Sequence, residues 1–248
     1  MIYTQSDKLL KIFKDKRVAI VGPSPHLIGT SAGPVIDQYD IVCRVNQVTA
    51  IDHEEDYGAR TDVVFHNCGT RFIDAFGARL RESAHISRKL KLVICPCVKA
   101  TGSDNSWSSW PDNHISPVVE NFDNINSYNI PFSWIGVPNY REVYNLFRCE
   151  PNAGQTAILM ILKHNPAELF VTGFSFYAQG NMPSQCHISS HTTPGIERVP
   201  TGDLSHPQIP QIKVFKDKIL KDYVERVTID SYMNELLGCD HSRVYTLS

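Results

Sequence analysis

Short apolar segments alternate with segments of helical spacing along this chain, and this alternation constrains the fold more than any other feature of the sequence. The β-rich segments are bounded by turn or charged residues, and strands are predicted at 18–21, 41–45, 62–66, 92–95, 169–173 and 227–229. Helices are predicted at 8–13, at 71–83, from a cap at Asn152 to Asn165, and at 213–226. Alternating strands and helices predict an α/β fold, with a Rossmann-like, mainly parallel sheet and helices on both faces.

The length of the chain and one unusual segment suggest how the fold is organised. A length of 248 residues suits a single α/β domain covering 1–248. The segment 99–140 is dense in Ser, Asn, Asp and Pro and contains all three tryptophans, Trp107, Trp110 and Trp134. We therefore expect 99–140 to be a long loop region, and long loops inside compact domains are usually functional or disordered.

Charge and cysteine usage exclude several classes of protein. With 24 Lys and Arg against 26 Asp and Glu, the chain has no overall basic field, so we expect no nucleic-acid partner. The seven cysteines are odd in number, scattered and without a C-x-x-C pair, which argues against a disulfide framework and a zinc knuckle. The sequence has no apolar run of about 18 residues and no signal-peptide core, so a soluble, cytoplasmic protein is expected.

The segment RVAIVGPSPHLIG at 17–29 is a strand that runs into a turn. A strand ending at Gly22 places this turn at the carboxyl edge of a parallel sheet, where α/β proteins bind ligands. Gly22 allows a ligand to approach the backbone, and Ser24 offers a hydroxyl group. The segment matches neither G-x-G-x-x-G nor the phosphate-binding G-x-x-x-x-G-K, so an ordinary strand-to-helix turn remains the alternative.

Further pieces follow this turn in a fixed order. They are GTSAG at 29–33, IDQYDIVCRVNQ at 36–47, DYGARTD at 56–62, FHN at 65–67, PNAG at 151–154 and LFVTGF at 169–174. Together they resemble the large and small sialylmotifs of glycosyltransferase family 29, the eukaryotic-type sialyltransferases. The run GFSFY at 173–177 and a histidine before the closing helix are also similar to the compact bacterial sialyltransferases of family 42.

This resemblance implies a donor substrate and a set of residues that bind it. The donor is a cytidine monophosphate (CMP) sugar, and no cofactor is implied. The expected nucleotide-binding residues are Gly22, Ser24, Asn46, Asn67, Asn152, Gly154, Gly173, Phe174 and Tyr177. The alternative for each asparagine is a side chain that only caps a turn. A helix that starts beside Gly154 would add partial positive charge near the phosphate.

The resemblance also implies an inverting transfer of sialic acid to a hydroxyl of a carbohydrate or glycolipid acceptor. His206, in the sequence SHP at 205–207, is the expected general base, because the ordinary pKa of histidine lies near working pH. His187 is the expected second histidine, which supports the leaving phosphate, with His191 as its alternative. Trp107 and Trp110 are expected to stack on acceptor sugars, so 99–140 would lie on the acceptor side, or else to fill a small core.

A metal-independent reaction is expected. His187 and His191 have the spacing of a helical zinc pair, but no Glu follows His187 and the segment disfavours a helix. The sequence contains no Asp-x-Asp. Lysines at 213, 216, 218 and 221 suggest a weak contact with an anionic membrane surface, or simply a solvated helix face. The oligomeric state is left open.

Three positions depart from the family pattern. Pro23 stands where the family usually has asparagine, Ala153 where it has serine or threonine, and Gln211 where a glutamate is expected. The family's cysteine pair is also absent, which agrees with an intracellular enzyme. Two alternatives therefore stay open: a transferase that uses CMP-Kdo, and a catalytically silent module that binds nucleotides or glycans.

Overall fold

In this computed structural model, which describes residues 11–46, 53–70, 72–98, 105–180 and 206–247, one eight-stranded sheet forms the centre of the fold. The strands are β1 Arg17–Val21, β2 Ile41–Val45, β3 Val63–Phe65, β4 Leu92–Cys95, β5 Phe132–Trp134, β6 Glu168–Thr172, β7 Val227–Asp230 and β8 Val244–Tyr245. Their order is β5-β4-β3-β2-β1-β6-β7-β8, and every neighbouring pair is parallel. The predicted α/β fold with a parallel sheet is confirmed.

Helices surround the sheet in the described part of the chain. The α-helices are α1 Gly33–Ile36, α2 Glu54–Tyr57, α3 Ile73–Glu82, α4 Ala84–Ser87, α5 Pro117–Ile125, α6 Gly136–Phe147, α7 Ala153–Lys163, α8 Gln208–Val214, α9 Leu220–Asp222 and α10 Ser231–Leu237. A π-helical turn, Phe215–Ile219, joins α8 to α9 in one closing helix. Short 3₁₀ turns lie at Lys11–Phe13, Pro25–Leu27 and Asn105–Ser109.

Both faces of the sheet are buried, as successive residues of β1 show. Val18 and Ile20 belong to one apolar cluster, which includes residues of α6, α7 and the closing helix. Ala19 and Val21 belong to another, which contains residues of α1 and α2. Side chains alternate between the faces of a strand, so the two clusters lie on opposite faces, as a parallel sheet requires.

The prediction that 99–140 is a long loop region is wrong for most of the segment. Residues 99–104 lie outside the described chain, but the rest includes α5, β5 and the first part of α6. Ser116 caps α5, with its hydroxyl accepting from the N–H of Val118, and Val118 and Phe122 are buried against the strands. The polar composition hid a 3₁₀ turn, two amphipathic helices and a three-residue strand. That the segment faces an acceptor stays a prediction.

The order of the strands sets the place of the site. From β1 the chain builds the sheet outward through β2, β3, β4 and β5, and then returns to place β6 on the other side of β1. This reversal makes a crevice outside the carboxyl ends of β1 and β6, the place where open α/β sheets bind ligands. Among the described helices, none has the length and apolar character needed to cross a membrane.

Candidate functional site

A cleft opens at this reversal point, at the carboxyl ends of β2, β1 and β6. Its walls are Pro23 after β1, Val45 and Asn46 at the end of β2, the first turn of α7 at 152–155, and the turn 173–177 after β6. The cleft holds about 460 Å³ of space, including its open mouth. Six of the nine predicted nucleotide-binding residues lie on its wall: Asn46, Asn152, Gly154, Gly173, Phe174 and Tyr177.

The amino end of α7 is anchored by two side chains. Oδ1 of Asn152 accepts from the N–H of Gln155 at 2.9 Å, as the sequence predicts for a cap. The N–H of Asn152 donates to Oε1 of Gln211 at 3.0 Å, so Gln211 makes the contact that a capping box would give to Gln155. The next two amides, of Ala153 and Gly154, have no acceptor within the helix and lie on the cleft wall at its positive end.

Gly22 and Gly173 allow the turns after β1 and β6 to touch. A Cβ on Gly22 would lie 2.3 Å from the carbonyl oxygen of Gly173, and a Cβ on Gly173 would lie 2.5 Å from that of Gly22. The N–H of Ser24 also donates to the Gly173 oxygen at 2.9 Å. The structure therefore gives Gly22 a packing role between two backbones and does not place it on the cleft wall, so a ligand contact by Gly22 stays a prediction.

The hydroxyl of Ser24 is engaged inside the protein. Ser24 is 1% exposed, and its Oγ lies 3.0 Å from Nδ1 of His26, whose Nε2 lies 3.0 Å from Oδ2 of Asp230. The same carboxylate accepts from Thr172 Oγ1 at 2.7 Å and from the N–H of Met233 at 2.7 Å. This buried network holds the turn behind Pro23. The hydroxyl of Ser24 is therefore engaged with His26 in this structure, and a nucleotide contact by Ser24 stays a prediction.

Phe174 covers the start of α7. A Cβ on Gly154 would lie 2.5 Å from Cε1 of Phe174, so the absence of a side chain at 154 lets the ring rest against the helix. Phe174 is half-buried and lines the cleft. Phe176 and Tyr177 follow in the left-handed region, with φ of 47° and 61°. Such backbone is costly for residues other than glycine and is found most often at functional sites.

Three buried polar atoms on the cleft wall lack a hydrogen-bond partner within the described structure. They are Oδ1 of Asn46, Oε1 of Gln155 and Oγ of Ser175. Gln155 and Ser175 are 1% and 2% exposed. Buried polar groups are almost always paired in folded proteins, so three orphaned atoms on one wall indicate a polar ligand. The sequence prediction named Asn46 but missed Gln155 and Ser175.

Asn67 lies outside this wall. It follows β3, and its Oδ1 accepts from the N–H of Gly69 at 3.2 Å, which is the turn-capping alternative considered from the sequence. Its carbonyl oxygen accepts from the thiols of Cys95 and Cys97. Burial raises the pKa of the Cys95 thiol well above its ordinary value. A nucleotide contact by Asn67 stays a prediction.

Arg44 fixes the strand that presents Asn46. Its guanidinium is fully buried and donates to Thr61 Oγ1 at 2.8 Å and to the carbonyl oxygens of Tyr57, Gly58 and Arg60. Burial lowers the pKa of Arg44 to about 10, although nearby carboxylates oppose the shift. The motif pieces at 36–47 and 56–62 are therefore joined by one side chain at the centre of the fold.

His206 lies beside the segment that leads into α7. Its Nδ1 is 3.1 Å from the carbonyl oxygen of Glu150, and its own carbonyl oxygen accepts from Gln208. A carbonyl oxygen can only accept, so Nδ1 carries the proton of the neutral ring and Nε2 is left as the basic nitrogen. Gln211, one turn further on, joins this segment to Asn152. His187 and His191 lie outside the described residues, so their contacts stay predictions.

The tryptophans of the predicted acceptor side occupy two different environments. Trp107 is 3% exposed and belongs to the main core, where its ring meets Tyr140 and Tyr144 edge to face. This is the core-filling alternative. Trp110 is half-buried, with its ring 4.1 Å from that of His114, and its carbonyl oxygen accepts from Arg141. Stacking of Trp110 on an acceptor sugar stays a prediction.

The charged groups of the described residues bear on the predicted metal-free reaction and on the predicted membrane contact. Among the residues that the structure describes, no group of three His, Cys, Asp or Glu side chains could hold a metal ion. Lys216 donates to the carbonyl oxygens of Leu237 and Gly238 at the end of α10, and Lys221 pairs with Asp217. Lys213 and Lys218 are exposed.

Comparison with known proteins gives one family match and several structural matches. Residues 6–106 match the sequence model of glycosyltransferase family 29 (sialyltransferase). A mammalian sialyltransferase solved with Gal-β-1-3GalNAc-ortho-nitrophenol is 18% identical, with a TM-score of 0.53 over 90% of this chain and 72% of that chain. The sialyltransferase CstII from Campylobacter jejuni, solved with CMP-3FNeuAc, is 15% identical, with a TM-score of 0.51 over 94% and 81%. A search of curated proteins finds no match.

These likenesses agree with the site as the structure shows it. At 15–18% identity the solved structures establish the fold, and the family match covers the pieces between β1 and β4, including the Arg44 and Asn46 region. The resemblance stated from the sequence is confirmed by both comparisons. Residues 6–106 of this chain therefore carry the pattern of the glycosyltransferase family 29 sialyltransferases, and the described chain shares its fold with the solved sialyltransferases.

Proposed function

We propose that this protein transfers sialic acid from CMP-sialic acid to a hydroxyl group of a carbohydrate acceptor, with inversion at the anomeric carbon. The observation that carries the proposal is the cleft with three unpartnered polar atoms among the described residues, which lies at the carboxyl ends of β2, β1 and β6. Both CMP and a CMP-sugar analogue occur with CstII of Campylobacter jejuni, a protein of the same fold.

The phosphate of the donor belongs at the start of α7. The amides of Ala153 and Gly154 lie on the wall there, and a helix amino terminus carries about half a positive charge. Asn46, at the end of β2, offers an amide from the opposite side of the cleft. These neutral donors, with Tyr177, stabilise a departing monophosphate without a metal ion, and His187 would add a further donor.

His206 acts as the general base. The acceptor hydroxyl attacks the anomeric carbon, so a new carbon–oxygen bond forms while the bond to the phosphate oxygen breaks and CMP leaves with the electron pair. Nε2 of His206 takes the hydroxyl proton, because Nδ1 is committed to the carbonyl of Glu150. The acceptor enters from the side of His206, because its hydroxyl must reach Nε2. A glycolipid headgroup and a free oligosaccharide both carry such a hydroxyl.

The test measures free CMP released from CMP-sialic acid, with and without a lactose-type acceptor. His206→Ala should lower turnover by roughly a hundred- to ten-thousand-fold and leave CMP affinity within a few-fold, since the base acts in the chemical step. His85→Ala, at an exposed position on α4, is the matched control and should retain full turnover. Unchanged turnover in His206→Ala would remove this residue from the base role.

Two further arms separate the competing functions. Turnover of CMP-Kdo in place of CMP-sialic acid would assign the other keto-sugar donor. Binding of both donors without turnover under any acceptor condition would make the protein a binding module. EDTA should not reduce turnover, and a strong loss that zinc or magnesium restores would overturn the metal-free mechanism.

A further inference from the structure

We propose that Gln155 is the residue that reads the 4-amino group of the donor's cytosine and so selects cytidine over uridine nucleotides. The inference rests on the proposed function, since it assumes a CMP-sugar in the cleft. Gln155 is 1% exposed, lies on the cleft wall and holds its Oε1 without a partner among the described residues. A carboxamide oxygen accepts hydrogen bonds, so this atom needs a donor from the ligand.

The negative charge of the phosphate excludes it as the partner of Oε1 of Gln155. A phosphate and a sugar carboxylate present acceptor oxygens at neutral pH, and two acceptors facing each other repel. The amides of Ala153 and Gly154, which donate, are the place for an anion. The backbone N–H of Gln155 is already used by Oδ1 of Asn152, so this residue meets the ligand through its side chain alone.

The surroundings of Gln155 indicate that its side chain contacts the base of the nucleotide and not the ribose. Phe174 rests against Gly154, directly beside Gln155 in the chain, and offers an aromatic surface on the same wall. Aromatic side chains stack on bases with a gain of about 1–3 kcal/mol. The base is also the least hydrated part of the nucleotide, and Gln155 is among the most deeply buried polar residues of the cleft. A base on Phe174 therefore turns its edge toward Gln155.

The edge of cytosine complements this arrangement, and that of uracil does not. Cytosine carries an amino donor at position 4, whereas the corresponding position in uracil and thymine is a carbonyl acceptor. Ala153 has no polar side chain. Gln155, two residues on, provides a polar side chain in the same turn of α7, and its oxygen matches the amino group.

The experiment is a double-mutant cycle in which one change is made in the ligand. CMP, UMP and the monophosphate of 2-pyrimidinone riboside, which lacks the 4-amino group, are titrated calorimetrically into the wild-type chain and Gln155→Met. Wild type should bind CMP about tenfold more tightly than the 2-pyrimidinone analogue, as expected for one buried hydrogen bond. Gln155→Met should bind both equally, because its thioether cannot replace the oxygen.

Two control variants separate a contact with the base from a general effect on the cleft or on folding. Ser175→Ala removes another unpartnered atom of the cleft and should leave the ratio of CMP to analogue affinity unchanged. Gln155→Glu keeps an acceptor and should retain a preference for CMP over UMP if the methionine variant fails to fold. If Gln155→Met weakens the binding of CMP and of the analogue by the same factor, Gln155 contacts the ribose and the proposal is overturned. Failure of wild type to bind CMP would overturn the proposed function itself.

Discussion

At the scale of single residues, the site depends on places where a side chain is missing. Gly22 and Gly154 are both crowded, but by different neighbours: Gly22 meets the backbone of Gly173, and Gly154 meets the ring of Phe174. A ring can rotate away, whereas a carbonyl group between two strands cannot. The same substitution should therefore damage binding at one position and stability at the other.

Gly154→Ala and Gly22→Ala test this difference. Gly154→Ala should displace Phe174 and weaken CMP binding tenfold or more, with little loss of folding stability. Gly22→Ala should lower the free energy of unfolding by about 1–3 kcal/mol, the usual cost of overpacking. Calorimetric titration and urea denaturation of both variants supply the readouts. Equal stability losses in the two would show that Phe174 cannot move.

Residue identity predicted only part of this site. Asn46, Asn152 and Gly154 stand in recognisable motif pieces, and the structure places all three on the cleft wall. Ser24 could not be judged from the sequence, because its partner His26 is held by Asp230, 204 residues from His26 along the chain. Gln155 stands three residues after the cap at Asn152, where a capping box would place it, but the structure shows that Gln211 makes that contact.

At the scale of elements, the closing helix and α7 are coupled through one side chain. Gln211 is fully buried, accepts from the N–H of Asn152 and donates to the carbonyl oxygen of Pro207 at 2.9 Å. Beyond it, the π-helical turn carries Phe215, whose ring meets Phe176 edge to face. π-helical turns often mark functional sites, and this one packs behind the cleft wall.

Gln211→Leu should therefore loosen both elements. Two partly buried backbone groups, the N–H of Asn152 and the carbonyl oxygen of Pro207, would lose their partner, at a cost of about 1 kcal/mol each in the free energy of unfolding. Gln211→Glu keeps the acceptor for Asn152 but loses the donor to Pro207, so its stability should lie between those of Gln211→Leu and the wild type. Chemical denaturation of the three proteins measures the order. A leucine variant as stable as the wild type would contradict the coupling.

Element boundaries were predictable where apolar runs are long enough. The predicted strands at 41–45 and 92–95 agree with β2 and β4 in every residue, and Asn152 caps α7 as expected. β8 has only two residues, which is too short for an alternating pattern to show, and β5, with three residues, lies inside the polar segment that was predicted as a loop. In addition, α5 and α6 bury only one face each, so their exposed residues dominated the composition of 105–140.

At the scale of the whole molecule, burial of ionisable groups predicts how stability responds to alkali. Burial raises the pKa of Tyr39 to about 12, and burial together with the carboxylate of Glu150 raises that of Cys149 to about 11. Groups with raised pKa values hold their protons longer in the folded state than in the unfolded state. Their stabilising contribution is complete below the ordinary pKa values and is lost as pH rises toward the folded ones.

The free energy of unfolding should accordingly fall as pH rises from about 9 to about 12. Urea denaturation at half-unit steps of pH measures the slope. Tyr39→Phe removes one titrating group and should make the slope shallower between about pH 10 and 12. Lys218→Gln, at an exposed position of the closing helix, is the control that should leave the slope unchanged. A stability that rises with pH in this range would contradict the prediction.

The contact between Gly22 and Gly173 has a consequence for how this sequence can vary. The nearest group to a Cβ at each glycine is the peptide group of the other glycine, so exchanging a neighbouring side chain cannot by itself make room for a larger residue at either position. A library that randomises both codons should return glycine at both after selection for folding. A natural relative with another residue at one of them must hold its two central strand ends farther apart, and its donor pocket would differ in width.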